Sequence, residues 1–164
     1  QLVHKFRAQE QAILVGTKTV LDDNPTLNLR DWFGNHPVRI VIDKDLKIPQ
    51  NLVVYNKSVK TIFITDVKNV YNSSENIFFE GNDFSQKIAN QICAILQKHQ
   101  IQSVIIEGGA KTIQTFIDEN LWNEVCVFES DFTFENGTKA PIFSGKMSSQ
   151  TYLKNDTLKI YTND

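Results

Sequence analysis

Apolar residues fall along this chain in two alternating patterns, short β-branched runs and helical stripes. Ala12-Ile-Leu-Val-Gly16, Val38–Asp43, Lys60–Asp66 and Ile77–Glu80 read as strands. Val104-Ile105-Ile106 has no polar interruption, which suits a strand buried on both faces. Between these runs the period lengthens. Leu2, Val3 and Phe6 share one helical stripe within Gln1–Gln11. Asp83–His99 carries Ile88, Ile92, Ile95 and Leu96 as a buried stripe, with Asp83 as N-cap and Gln86 completing a capping box. Thr17–Asp23 allows one or two helical turns before Asn24-Pro25 stops them. Thr26–Arg30 alternates like a short extended segment, and Asp31–Pro37 is a loop by composition. A helix follows from near Ala110, then a strand at Glu124–Ser130 and an irregular stretch at Asp131–Ser144. Gln150–Thr162 reads as two antiparallel strands.

Strands alternating with helices predict a three-layer α/β domain with a mostly parallel sheet. The last strands lack an intervening helix, so an antiparallel edge and a mixed sheet are expected. A chain of 164 residues is the size of one domain with a sizeable core, and no repeat or composition shift divides it. The formal net charge of −2 supplies no drive toward nucleic acid or an acidic membrane. No apolar run approaches the ~20 residues that span a bilayer. Cys93 and Cys126 lie in apolar contexts and are expected to be buried small hydrophobes. His4, His36 and His99 do not cluster, so no metal site is expected.

Three places hold candidate chemistry. Glu107-Gly108-Gly109-Ala110 follows a buried strand and opens a helix. Glycines there let the backbone approach a ligand, and free N–H groups at a helix start favour phosphate. The same dipeptide also serves as an ordinary strand-to-helix turn, and it is neither a dinucleotide fingerprint nor a phosphate-binding Walker loop. Glu107 is the sharper clue, because a carboxylate ending so apolar a strand needs a partner. Thr17–Arg30 brings Thr19, Asp22, Asp23 and Arg30 to another strand's carboxyl end, where such groups suit ribose hydroxyls and phosphate. Arg7 near a helix end reads by itself as a surface charge. No nucleophile–base order and no metal are evident, so enzymatic chemistry here would be a cofactor's.

Taken together, FRAQEQAILVGTKTVLDDNPTLNLR (6–30), PVRIVID (37–43) and VIIEGGAKTIQTFIDENLWNEVCVF (104–128) resemble the reductase domain of the bifunctional riboflavin-biosynthesis deaminase/reductase. The blocks match in order and spacing and cover about a third of the chain. The resemblance implies a dihydrofolate-reductase-like fold, a cytoplasmic homodimer, and NADPH as cofactor. The implied substrate is 5-amino-6-(5-phosphoribosylamino)uracil, whose ribosyl group is reduced to a ribityl chain by hydride transfer to C1′ of the sugar. By motif position Arg7 and Arg30 hold the sugar phosphate, Leu27 touches substrate through its backbone, and Glu107 contacts substrate. Thr19 and Asp23 align with cofactor contacts near the nicotinamide. Gly109, Ala110, Lys111, Thr112, Ile113, Gln114 and Thr115 align with the turn that cradles the cofactor phosphates.

The chain departs from the family pattern in several places. Asp22 replaces the usual Ala, Asn24 replaces the second Asp, Lys44 stands where Ser is common, and Trp122-Asn123 replaces Leu/Val-Asp. The family's first strand, with its K-x-A-x-S-x-DG stretch, has no counterpart here. Residues 1–164 are therefore expected to be a single reductase domain lacking its N-terminal strand, a fragment of a longer chain that by itself binds the cofactor weakly or not at all and has negligible turnover. Two other functions fit the pattern: a reductase of the same fold acting on a pterin-like substrate, and a non-catalytic dimerisation domain.

Overall fold

In the computed structural model, which describes residues 1–66, 73–132 and 135–163, the β-branched runs form one parallel sheet. Its strands are β1 (Ala12–Gly16), β2 (Val38–Ile42), β3 (Thr61–Thr65), β4 (Ile77–Gly81) and β5 (Val104–Ile106). They lie in the order β4-β3-β2-β1-β5. Successive side chains point to opposite faces, so each run fills two layers at once. On one face Ala12, Leu14, Ile40, Ile62 and Ile64 meet Ile92, Ile95 and Leu96 of α3 (Ile88–Lys98) and Phe116 of α4 (Ala110–Asp118). On the other face Ile13, Val15, Val41 and Phe63 meet Val20 of α2 (Thr17–Asp23), Leu27, Ile48 and Val54. Helix α1 (Leu2–Gln9) leads into β1. The result is the expected three-layer α/β arrangement. No helix among the described residues is long and apolar enough to cross a membrane.

The antiparallel strands β6 (Glu124–Ser130), β7 (Lys146–Tyr152) and β8 (Asp156–Thr162) form a second sheet, ordered β6-β8-β7. Parallel and antiparallel ladders are thus divided between two sheets, because among the described residues β5 pairs only with β1 and β6 only with β8. Strand β7 begins at Lys146 rather than Gln150. Residues 133–134 of the irregular stretch lie outside the described residues.

Several local expectations are corrected. Strand β5 is half-buried along its length rather than buried on both faces, since it stands at a sheet edge. Helix α3 starts at Ile88, with no cap from its own N-cap residue Lys87. Asp83 and Gln86 instead belong to the turn before it, where Oδ1 of Asp83 accepts from Ser85. The orphan amides of α3 are met by Glu119, whose Oε1 and Oε2 accept from Ala89 and Asn90 N–H at 3.0 Å each. Burial would raise the Glu119 pKa, but these backbone donors outweigh it and lower it. Thr26–Arg30 forms no strand, because Leu27 is left-handed with φ 53°. Cys93 and Cys126 are exposed and unpaired. Each thiol is held above its ordinary value, first by partial desolvation and then by Glu119 or Glu124, so neither is an activated nucleophile.

Candidate functional site

Strand β1 has β2 on one side and β5 on the other. The helices that follow β1 and β5 pack on opposite faces, α2 through Val20 and α4 through Phe116. Divergence of that kind at a parallel sheet's switch point opens a crevice beyond the carboxyl ends of the strands. Here it brings two candidate segments together. The Glu107 amide donates to Leu14 O at 3.0 Å, continuing the β1–β5 ladder by one residue. Gly108 then lies against the backbone of β1, where a Cβ would meet Gly16 N at 2.7 Å. The Gly109 amide donates to Thr19 Oγ1 at 3.1 Å, tying α2 to the start of α4. Thr112 lies over Gly16, with its Oγ1 at 2.6 Å from where a Cβ there would sit.

The start of α4 has no side-chain cap and no acidic residue in its first turn. Thr112 and Ile113 N–H groups both donate to Gly109 O. The Ala110 and Lys111 amides have no acceptor among the described residues, and at a positive helix end they fit an anionic phosphate.

Arg7 and Glu107 meet just beyond the end of β5. Arg7 Nε donates to Glu107 Oε1 at 2.7 Å, and Nη2 donates to Oε2 at 2.5 Å. Both side chains are largely buried, 15% and 21% exposed respectively. The bond to Glu107 raises the Arg7 pKa above its ordinary value, outweighing desolvation. Arg7 is therefore no free surface charge.

The remaining candidates divide. Arg30 and Asp23 are exposed, and Arg30 joins no ion pair among the described residues. Leu27 is 3% exposed and belongs to the core, so only its backbone is available to a ligand. Lys111 is exposed. Ile113 and Thr115 are half-buried, and Thr115 Oγ1 donates back to Lys111 O at 3.0 Å. The Gln114 side chain is committed to the chain itself, donating to Ile142 O at 3.0 Å and accepting from Ile142 N at 2.8 Å.

One group was not singled out from the sequence. Asp43, fully buried after β2, accepts from Lys47 N at 3.0 Å, Ile48 N at 2.9 Å and Thr17 Oγ1 at 3.3 Å. The signal that marked Glu107, a carboxylate ending an apolar strand, was present there too. This network borders a cavity of about 270 Å³ lined by Thr17, Lys18, Leu21, Asp22, Lys44 and Lys47 among others.

The comparisons with known proteins agree with this architecture. The profile of a family described as the RibD C-terminal domain matches residues 1–164. The riboflavin biosynthesis protein RibD of Aquifex aeolicus is 30% identical over 136 residues, 78% of this chain and 37% of its own length. The 2,5-diamino-6-ribosylamino-4(3H)-pyrimidinone 5′-phosphate reductase of Archaeoglobus fulgidus is 25% identical over 168 residues, 92% of this chain and 71% of its own. The crystal structure of a diaminohydroxyphosphoribosylaminopyrimidine deaminase/5-amino-6-(5-phosphoribosylamino)uracil reductase from Thermotoga maritima is 25% identical. It superposes with a TM-score of 0.85 over 99% of this chain and 48% of that one. A dihydrofolate reductase of Enterococcus faecalis complexed with NADP(H), 14% identical, shares the fold with a TM-score of 0.55 over 99% of this chain and 81% of that one. The chain spans 37% and 36% of the first curated relatives it matches.

Proposed function

The chain belongs to the RibD C-terminal domain family, and from that premise we propose that it is the reductase part of a riboflavin-pathway enzyme. On this reading it reduces the ribosyl group of 5-amino-6-(5-phosphoribosylamino)uracil to the ribityl product, with NADPH as reductant. The observation that carries it is the junction at the ends of β1 and β5. There, a largely buried carboxylate, Glu107, stands beside an uncapped helix start tied to Thr19.

NADPH, when bound, supplies a hydride. The residues present fit its phosphates: the open amides of Ala110 and Lys111, with Gly109 and Thr112 beside them, favour anionic oxygens. In the proposal Thr19 and Asp23 complete the cofactor side, and Ile113, Gln114 and Thr115 continue the cradle. The Gln114 and Thr115 side chains already bond to this chain, so their part is to hold the turn in shape. Glu107 accepts a hydrogen bond from a sugar hydroxyl and fixes the reacting carbon relative to the cofactor. The Leu27 backbone lines the substrate side, and Arg7 and Arg30 are the guanidinium groups on that side.

The proposal includes the rest of the protein. Among the described residues strand β5 is paired on one side only, and β6 is likewise an edge of its own sheet. An unpaired, half-buried edge next to the site supports a further strand pairing with β5, supplied by a longer chain of which these residues are one domain. A homodimer and a cytoplasmic setting belong to the same reading.

Arg30→Ala, made in the intact protein, is expected to raise KM for the phosphorylated substrate. Loss of one charge-assisted contact predicts a change of about 10- to 100-fold. NADPH affinity, read by cofactor fluorescence, should stay nearly unchanged. Weakened NADPH binding at an unchanged substrate KM would remove Arg30 from the substrate side. An intact, folded protein that binds no NADPH would favour a non-catalytic domain.

A further inference from the structure

Arg30 lies in the connection between α2 and β2, and such connections are ordinarily the more mobile parts of a fold. Here the residues on both sides of it are tied down. The Leu29 amide donates to His36 Nδ1 at 3.1 Å, which closes the loop on itself. The Leu29 side chain is 7% exposed, with Gly34 packed against it. A Cβ at Gly34 would stand 3.4 Å from Leu29 Cδ1 and 3.5 Å from Ala8 Cβ of α1. With φ at 141°, Gly34 also holds a backbone form that other residues rarely adopt. On the far side of Arg30, the Asp31 carboxylate lies 3.5 Å from Nε2 of His4, a buried residue of α1. The tip of the loop is left outside: Trp32 and Phe33 are 44% and 95% exposed. The ties are thus gathered around Arg30, which keeps a fixed base and a free, exposed side chain.

Of these ties, the one made by His36 depends on a single atom. Nδ1 accepts a hydrogen bond, so it bears no proton, and the ring is neutral with its proton on Nε2. Another side chain replaces it only by offering an acceptor bonded directly to Cγ. Asn does so with Oδ1, whereas Gln carries its oxygen one bond farther out. Neither the Leu29 amide nor the His36 ring touches a ligand in this arrangement. Their bond acts one residue away, on the backbone from which the Arg30 guanidinium reaches out.

We propose that His36 is a positioning residue: its neutral imidazole holds the Leu29 amide and so sets where Arg30 meets an anionic ligand. This rests on the reductase reading above for the ligand, a sugar phosphate, and on the loop geometry for the role of His36.

The test compares His36→Ala, His36→Asn, His36→Gln, Arg30→Ala and the double variant Arg30→Ala/His36→Ala in the intact protein. His36→Ala is expected to raise KM for the phosphorylated substrate about tenfold at a nearly unchanged kcat. His36→Asn should recover most of that loss, and His36→Gln should behave like His36→Ala. Calorimetric titration with ribose 5-phosphate supplies an arm independent of turnover, and the variants should fall in the same order there. The double variant should bind it no more weakly than Arg30→Ala alone, because His36 acts only through Arg30. Hydrogen exchange at the Leu29 amide should quicken in the Ala and Gln variants and stay slow in the Asn variant. A lower Tm with wild-type affinity for ribose 5-phosphate would make His36 merely structural and overturn the proposal. Equal losses in the Asn and Gln variants, or additive losses in the double variant, would overturn it too. If His36→Ala fails to fold, the Asn and Gln variants decide between themselves. If the wild type binds no ribose 5-phosphate, the reductase reading falls, and exchange at Leu29 alone judges the hold of His36 on the loop.

Discussion

Replacing Gly108 with alanine is expected to destabilise the fold by about 3 kcal/mol, the upper part of the range for overpacking. A Cβ there would stand 2.7 Å from Gly16 N, 2.9 Å from Val15 Cα and 3.2 Å from Val15 C. All three are backbone atoms of a central strand, so no flexible side chain can swing away to make room. Relief requires β5 to move off β1, which breaks the short ladder from Ala12–Val104 to Leu14–Ile106. For a domain of this size the loss corresponds to a fall in Tm of roughly 6–12 °C. The adjacent Gly109→Ala is the control. Its Cβ would meet only Thr19 Oγ1, at 3.8 Å, an ordinary contact, and its φ of −39° is negative, outside the left-handed region. It should change stability by no more than about 0.5 kcal/mol. Thermal unfolding of both variants decides the matter, and equal Tm shifts would refute the close-approach account.

Asp43→Ala carries the second large effect. The carboxylate is fully buried and accepts from two backbone amides, Lys47 and Ile48, and from Thr17 Oγ1. The hydroxyl keeps its 2.7 Å bond to Ile42 O, but the two amides lose their acceptor. Leaving a buried donor such as the Ile48 amide unsatisfied costs about 1–3 kcal/mol, and the part-buried Lys47 amide adds less, so a total loss of about 3 kcal/mol is expected. Asp43→Asn retains one acceptor oxygen and should lose about half as much. Denaturant unfolding with an unchanged m-value tests it. An alanine variant as stable as wild type would mean that water or a rearranged turn replaces the carboxylate at no cost.

These two residues differ in how visible they are before folding. Gly108 stood out because a glycine pair after a β-branched run marks a backbone turn. Its contact with Val15 is invisible locally, since 93 positions of sequence separate the two residues. Asp43 carried the same strand-end signal as Glu107, yet nothing in its neighbours reveals that both its oxygens point back into the 43–48 turn. Leu27 is a similar case. An alternating pattern suggested extended backbone, whereas packing of the side chain into the core holds it at φ 53°. Such a conformation costs about 1–2 kcal/mol for a non-glycine residue, an amount only tertiary contacts supply.

What the sequence by itself determined is what short-range periodicity encodes. The five β-branched runs, the Ile92–Leu96 stripe of α3 and the strand–glycine–helix unit at 104–118 follow from side-chain alternation over a few residues. What only the tertiary structure decided are the partners of charged and polar groups. Arg7 and Glu107 pair across 100 positions, and Glu119 caps a helix 29 and 30 positions before it. The division into two sheets, with β5 and β6 as edges, belongs to the same class. Hydrophobic burial is non-directional and leaves its mark in local pattern, whereas hydrogen bonds and ion pairs need one particular partner at one geometry. That partner is chosen by the fold and not by the residues beside it in the chain.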